Sequence, residues 1–407
     1  MAYAAAVRPA FSGYYWDVAT GILRAHALAL PDGTPTAAFE PGYPLFLALV
    51  RALVGDHPLA VQVIQALVAA AGAVYLARLT VRLTSDRLSG IVSAYLFAFY
   101  PLLIRHATDP TENALFTLTL VGFADAFISM EGPRGAVGAA IWLALAILTR
   151  SIAILLIPIA AAIEGRRSWT RAVTLAGTTV LLVAPYGAWL AARTGTMAPS
   201  RAGLNLFISN SEYAGDLMPT YAPDLLVDYA ERRLAEEAPA SATGAALSEE
   251  GSESAAFMRL AWHEVLRHPF VTARLKLMNV AYLFSPVLVP YRDLTPDAAF
   301  TIDASGRAVG RGGRERPFAL QLAYSASYLP IAALAGCGAW LRRRHLFGPD
   351  AILWGIVATF VIAYAVFFPT TRYRAPMDVV LLFYAAVAVD GWLGASLLAR
   401  RSATTPA

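Results

Sequence analysis

RHATDPTENALF, residues 105–116, places two carboxylates, Asp109 and Glu112, between two long apolar runs. The first run ends at Tyr100–Ile104 and the second begins at Ala114. If both cross a bilayer, the two acids lie just outside it, at one mouth of a helix bundle. Charged groups at such a place are costly and need a reason. The bland reading is a solvated loop between helices, and both stay open on position alone.

Outward from that stretch the chain is apolar. Of its 407 residues, 57% are hydrophobic and 15% charged, against roughly 25% charged in average soluble domains. Several apolar runs reach the ~20 residues that a hydrocarbon core of about 30 Å demands. The expectation is an all-α polytopic membrane protein. Spans are read at 57–83, 88–104, 112–130, a pair within 135–163 broken around 148–151, then 172–192, 318–341, 351–368 and 376–398. That makes about nine transmembrane helices. Residues 40–55 are apolar but short, and read as an interfacial or re-entrant helix. Residues 11–41 read as a short helix and a loop. Residues 235–254, rich in Ala, Glu and Ser, read as partly disordered. Residues 262–284 read as an amphipathic helix on the membrane surface or only shallowly inside it.

Arginine placement gives the sidedness. Arg78, Arg82 and Arg87 flank one short loop, Arg166, Arg167 and Arg171 crowd another, Arg342, Arg343 and Arg344 make a third, and Arg400 and Arg401 come near the end. All four fit a cytoplasmic side. The net charge of +4 therefore speaks of basic loops, not of nucleic acid. The opposite, outer side receives residues 1–56, the Asp109–Glu112 loop, 193–317 and the turn at Pro369–Arg374. Three parts follow: a transmembrane module at 1–192, an outer-face region at 193–317 with an amphipathic helix, and C-terminal transmembrane helices with a short cytoplasmic tail at 318–407. An outer N-terminal segment with no preceding span leads to the expectation of one more helix encoded upstream. The expected location is a bacterial-type cytoplasmic (inner) membrane, with the working site on its outer face.

The single cysteine, Cys337, stands in an apolar run and reads as a small buried residue. The six histidines are scattered without ligand spacing. No phosphate-binding glycine loop, zinc-protease, serine-hydrolase or paired-cysteine motif occurs. Transporters carry ionisable groups in mid-span and often internal repeats. Here the mid-spans are mostly Ala, Leu, Val and Ile, with Arg150 at the break of the 135–163 pair as the main exception. Polar groups gather at one face instead, which favours chemistry on a lipid-linked substrate. A lipid-linked glycan transporter is the alternative.

A series of segments then points to a family. PGYPLFLALV (41–50), Tyr100–Pro101, DPTENALF (109–116), LTRSIAILLIP (148–158), GLNLFISNSEYAG (203–215), RHPFVTARLKLMNVAYLFSP (267–286) and RYRAP (372–376) occur in that order. The pattern resembles the GT-C superfamily of integral-membrane glycosyltransferases, most of all the protein-mannosyltransferase and aminoarabinose-transferase-like group. The resemblance covers roughly residues 11–398. It implies a GT-C-like bundle and transfer of a hexose- or pentose-type sugar from a polyprenyl-phosphate donor to a lipid, glycan or protein acceptor. It implies inversion at the anomeric carbon, an outer-loop carboxylate as general base and cations on the leaving phosphate.

The carry-over of residues is uneven. The family's principal acid falls on Phe11, with Tyr15 and Ala19 in register. Asp17 is the only acid in that helix. Either Asp17 substitutes, or the acid lies upstream, or this member is a catalytically inactive scaffold. Glu112 fits the second outer-loop acid, with Asp109 beside it, and an acidic oxygen site suits Mg²⁺ or Mn²⁺, although metal use varies in the superfamily. Helix capping by Asp109 or Thr111, with Glu112 on the dipole, is the plain alternative. Arg372 and Arg374, flanking Tyr373, and Arg150 are candidates for the carrier phosphate. Glu40, Tyr15, Asn205 and Asn210 are candidates for the same cavity.

Overall fold

The computed structural model describes residues 13–237 and 246–403, with side chains to residue 393. Phe11 and the start of the chain lie outside them, as do the side chains of Arg400 and Arg401.

The chain is helical. α1 (Tyr14–Ala25) and α2 (Gly42–Val54) pack together ahead of α3 (Pro58–Thr84), α4 (Arg87–Phe99), α5 (Pro101–Thr108), α6 (Asn113–Ile128) and α7 (Gly132–Thr149). A 3-10 turn (Ser151–Leu155) leads into α8 (Leu156–Gly165) and α9 (Trp169–Thr194). Next come α10 (Arg201–Asn210), α11 (Ala214–Leu217), α12 (Val227–Glu237), α13 (Ala246–Arg267) and α14 (Pro269–Leu283). Two small antiparallel ribbons follow: β1 (Arg292–Asp293) with β4 (Arg314–Glu315), and β2 (Ala299–Ile302) with β3 (Ala308–Arg311). The chain returns to long helices with α15 (Phe318–Leu341), α16 (Ala351–Val366) and α17 (Thr371–Ala403).

Among the described residues, α3, α7, α9, α15 and residues 371–393 of α17 are long and apolar enough to cross a membrane, and α4 with α5 would make a sixth bent span. Helices α2, α6, α16 and residues 151–165 are apolar but shorter. The protein is an integral membrane protein, but length and apolarity do not by themselves reach the nine spans expected.

Helix α6 is the axis. Phe116, Leu120 and Phe123 are fully buried, in one cluster with Leu143 of α7, Phe360 of α16 and Phe383 of α17. A second core gathers Phe207, Leu226 and Leu260 among others, and Phe368 joins it from the turn after α16.

Four expectations change. The span read at 88–104 bends by 58° at Tyr100–Pro101. Tyr100 is extended, as a residue before proline prefers, and Pro101 starts a new helix. The helix read at 262–284 is two, divided at His268–Pro269 for the same reason. Of the stretch 235–254, read as partly disordered, residues 235–237 and 246–254 are helical, and 238–245 lie outside the described residues. Gly251 there serves a close crossing: a Cβ on it would meet the Thr194 carbonyl at 1.9 Å. Cys337, read as buried, is exposed on α15. A span facing lipid is apolar outward as well, so apolarity there does not signal burial.

The two ends of the bundle differ in charge. Gln62 and Gln65 of α3 donate to the carbonyls of Thr108, His106 and Asp109 at one end. At the other, Arg82 holds Asp125, Arg171 holds Glu164 and the Met130 carbonyl, and Arg342 holds Asp350. Three of the four basic clusters therefore share one end, and the Asp109–Glu112 loop lies at the other.

Candidate functional site

Helix α7 stops at Arg150, whose backbone is extended before the 3-10 turn. The break turns this side chain inward at the acidic end. Gly42 makes the packing possible: a Cβ there would stand 2.6 Å from the Leu148 carbonyl oxygen, so only glycine lets α2 lie on the end of α7. Glu40, just before α2, then reaches across the break, and its Oε1 accepts from Ser151 N at 2.7 Å.

Glu112 is the residue at which α6 begins, but its carboxylate makes no capping hydrogen bond. It faces Arg150 instead, Oε1 to Nη1 at 3.4 Å. Arg150 also donates to Asn113 Oδ1 at 3.1 Å and to the Tyr364 hydroxyl at 2.7 Å. Its guanidinium lies 4.8 Å from the centre of the Tyr373 ring. Arg372 lies at the same 4.8 Å from that ring and donates to its hydroxyl at 3.1 Å. One tyrosine thus organises two cations, as the negative face of an aromatic ring allows. Tyr364 stacks on Tyr373, centroids 5.5 Å apart.

Glu40, Glu112, Arg150, Tyr364, Arg372 and Tyr373 line one cavity with about 820 Å³ of empty space, part of it continuous with the outside. Tyr15, Phe39 and Glu40 form one wall. Glu112 and Arg150 stand together there. Arg201 and Asn205 of α10, Phe368, and Arg372 with Tyr373 complete it. Burial, with Glu112 and Glu40 nearby, pushes the Tyr15 hydroxyl well above the usual phenol range. At neutral pH it stays a hydrogen-bond donor.

Of the residues singled out in the sequence, Tyr15, Glu40, Glu112, Arg150, Asn205, Arg372 and Tyr373 are brought together in this cavity. Four do not line it. Asp17 is half-buried on α1. Asp109 pairs with Arg105 at 3.2 Å. Asn210 donates to the Leu206 carbonyl of its own helix. Arg374 is fully buried: it pairs with Asp378 at 3.0 Å, donates to the carbonyls of Leu283 and Ser285, and bonds the Tyr324 hydroxyl. Asn113, Tyr364 and Arg201 were not singled out. The polar pair Glu112–Asn113 at a helix start is a signal for Asn113, while Tyr364 is hidden in an apolar run.

Among the described residues no three His, Cys, Asp or Glu side chains converge. Asp109 and Glu112 each face an arginine instead. What the cavity offers is two carboxylates, three guanidinium groups and three phenols. That donor set suits a phosphate leaving group and a hydroxyl nucleophile.

The family described as dolichyl-phosphate-mannose-protein mannosyltransferase matches residues 35–189, less than half of the chain. Among solved structures, the Archaeoglobus fulgidus oligosaccharyltransferase in the apo form aligns with a TM-score of 0.52 at 13% identity. The alignment covers 95% of this chain and 47% of that one.

The chain has the GT-C fold.

The same archaeal enzyme, AglB, in complex with an inhibitory peptide and a dolichol-phosphate, aligns at 0.49 and 13% identity, over 95% of this chain and 47% of that one. ArnT from Cupriavidus metallidurans bound to undecaprenyl phosphate gives 0.39 and 12%, over 93% and 73%. No curated protein sequence matches. The chain spans about half the length of the oligosaccharyltransferase. Within this GT-C fold, the matched segment 35–189 contains Glu40, Glu112 and Arg150, while Arg372 and Tyr373 come from the far end of the chain to meet them.

Proposed function

We propose that the protein is a glycosyltransferase that moves a hexose- or pentose-type sugar from a polyprenyl-phosphate donor to a hydroxyl acceptor on a lipid, glycan or protein, at the outer face of a bacterial-type cytoplasmic membrane. The observation that carries this reading is the meeting of Glu112 with Arg150, and of Arg372 with Tyr373, in one cavity at the less basic end of the bundle. The match of residues 35–189 to a family named for a lipid-phosphate sugar donor supports it. So does the GT-C fold.

In this reading the acceptor oxygen attacks the anomeric carbon from the face opposite the phosphate. The bond from that carbon to the phosphate oxygen breaks, and the configuration inverts. Glu112 takes the proton of the acceptor hydroxyl, which requires hydrogen-bond reach between them. Arg372 receives the negative charge that grows on the phosphate. Its planar fork matches two phosphate oxygens, and it is the more exposed of the two cavity cations facing Tyr373. Arg150 is held by Glu112, Asn113 and Tyr364, so it fixes the carboxylate in place and adds positive potential behind it. Tyr15 donates to donor or acceptor oxygens.

The test is transfer from a radiolabelled panel of polyprenyl-phosphate sugars in membranes carrying wild type or Glu112→Gln. Transfer by wild type that collapses in the variant supports the reading. Equal transfer by both removes Glu112 from the reaction, and no transfer from any donor overturns the proposal.

A further inference from the structure

The end of the bundle opposite this cavity carries a second feature. The α3–α4 hairpin bears an open groove with about 1300 Å³ of empty space. Val74, Val81, Ile91 and Tyr95 are among its walls, and Val74, Ile91 and Tyr95 are each more than half exposed. Gly90 forms the floor: a Cβ there would stand 2.5 Å from a Val81 methyl, so the two helices cross closely beneath the opening. Such a surface is apolar enough for lipid and too open to be core.

Its rim is cationic. Arg78, Arg82 and Arg87 all border it. Arg82 is committed to Asp125, bonding both the carboxylate and the carbonyl. Arg78 reaches the same carboxylate only at 3.4 Å, with half of its side chain exposed. Arg87, at the start of α4, is exposed. The nearby Asp86 carboxylate caps α4 by accepting from Ser89 N, so it is engaged as well. Three guanidinium groups face two carboxylates, and Arg78 and Arg87 are the ones left toward the lipid. A second apolar recess, between Val92 and Pro101 and against Ile331, has no charged residue in its lining. It offers no such complement.

The depth fits one leaflet. At 1.5 Å per residue, Arg87 to Tyr95 spans about 12 Å, within the roughly 15 Å of hydrocarbon in half a bilayer. We propose that this groove binds an anionic glycerophospholipid of the leaflet on the basic side. Its acyl chain lies along Val74, Ile91 and Tyr95, and its phosphate sits between Arg78 and Arg87. Basic pockets between transmembrane helices hold anionic headgroups in this way. The site is separate from the Glu112 cavity and independent of the reaction proposed there.

The experiment uses the full chain purified in detergent, titrated with phosphatidylglycerol or phosphatidylcholine and read by native mass spectrometry. Two arginines facing one headgroup correspond to a preference of roughly thirtyfold for the anionic lipid. That preference disappears in Arg78→Gln/Arg87→Gln, which leaves Arg82 on Asp125. Ala94→Phe fills the groove with every charge in place, and it weakens phosphatidylglycerol retention about tenfold or more. Equal retention of the two lipids by wild type overturns the proposal. So does unchanged retention in Ala94→Phe, because a headgroup bound by charge alone does not need the groove.

Discussion

The Arg150 guanidinium stands 3.4 Å from Glu112 Oε1 and donates to the side-chain oxygen of the next residue, Asn113, at 3.1 Å. A break between α7 and its continuation is thereby pinned to the first turn of α6. Removing the charge while keeping the shape tests the carboxylate directly. Glu112→Gln is expected to lower the transfer rate by about 10²–10⁴-fold, the range for a general base. Its thermal midpoint in detergent should change little, since an amide oxygen still accepts from Arg150. A large fall in the midpoint with unchanged transfer would make Glu112 structural.

Arg372 is argued to hold the leaving phosphate, and guanidinium geometry matters there more than charge. Arg372→Lys should keep the positive field but lose the fork, and Arg372→Gln should lose both. We expect the glutamine variant to cost roughly 10²–10³-fold in kcat, the scale for losing one stabiliser of developing charge. The lysine variant should recover only part of it. Full recovery by lysine, measured with the same donor, would show that a point charge suffices.

Where these groups would lie was legible from simple rules, and where they would point was not. Glu112 showed itself as an acid between apolar runs, and Arg372 as an arginine away from the basic clusters, just before the last apolar run. Arg150 showed itself by breaking an apolar run. Helical phase defeated the rest. Arg372 and Arg374 are two residues apart on α17, and 3.6 residues per turn set them on opposite faces. One opens on the cavity and the other is sealed in the bundle. Tyr15 and Asp17 part on α1 in the same way, with only the tyrosine in the cavity lining. Tyr364 stayed invisible because a tyrosine in an apolar span looks like any other aromatic. Span limits suffered most at Tyr100–Pro101, where proline physics outweighed continuous apolarity.

Arg374 and Asp378 are both fully buried and paired at 3.0 Å. Tyr100 donates to Asp378 at 2.8 Å, so the pair joins α17 to the bend before α5. Removing one partner leaves a buried charge without compensation, which costs about 3–5 kcal/mol. Arg374→Met alone should therefore lower the denaturation midpoint steeply. Arg374→Met with Asp378→Leu should restore much of it, because an apolar pair can replace a buried ionic one. A double variant as unstable as the single would assign the loss to the carbonyls of Leu283 and Ser285 instead.

Gly42 tests how tightly the cavity is positioned. Alanine there would bring a Cβ to 2.6 Å from the Leu148 carbonyl, forcing α2 away from the end of α7. Glu40, two residues earlier, would lose its register on Ser151 N. A displacement of about 1 Å can cost 10²-fold in rate. Gly42→Ala should accordingly reduce kcat far more than it reduces expression or thermal midpoint. A variant with wild-type kcat would show that the Glu40 contact plays no part in shaping the site.

Lys276 of α14 gives a prediction in pH. It donates to the Val366 carbonyl at 2.8 Å, and burial pushes its pKa down from 10.5 to about 8. Below the folded value both folded and unfolded chains carry the proton, so the cost of burying the charge is present in full. Between about 8 and 10.5 the unfolded chain binds a proton that the folded chain has released. Stability then rises with pH across that window. Melting in detergent at about pH 7.5 and about pH 9.5 should therefore show a positive contribution in wild type that is missing in Lys276→Met, with all other titrations common to both. Parallel shifts in the two proteins would mean that Lys276 is well solvated, its ammonium held at the surface of α14 rather than over the end of α16.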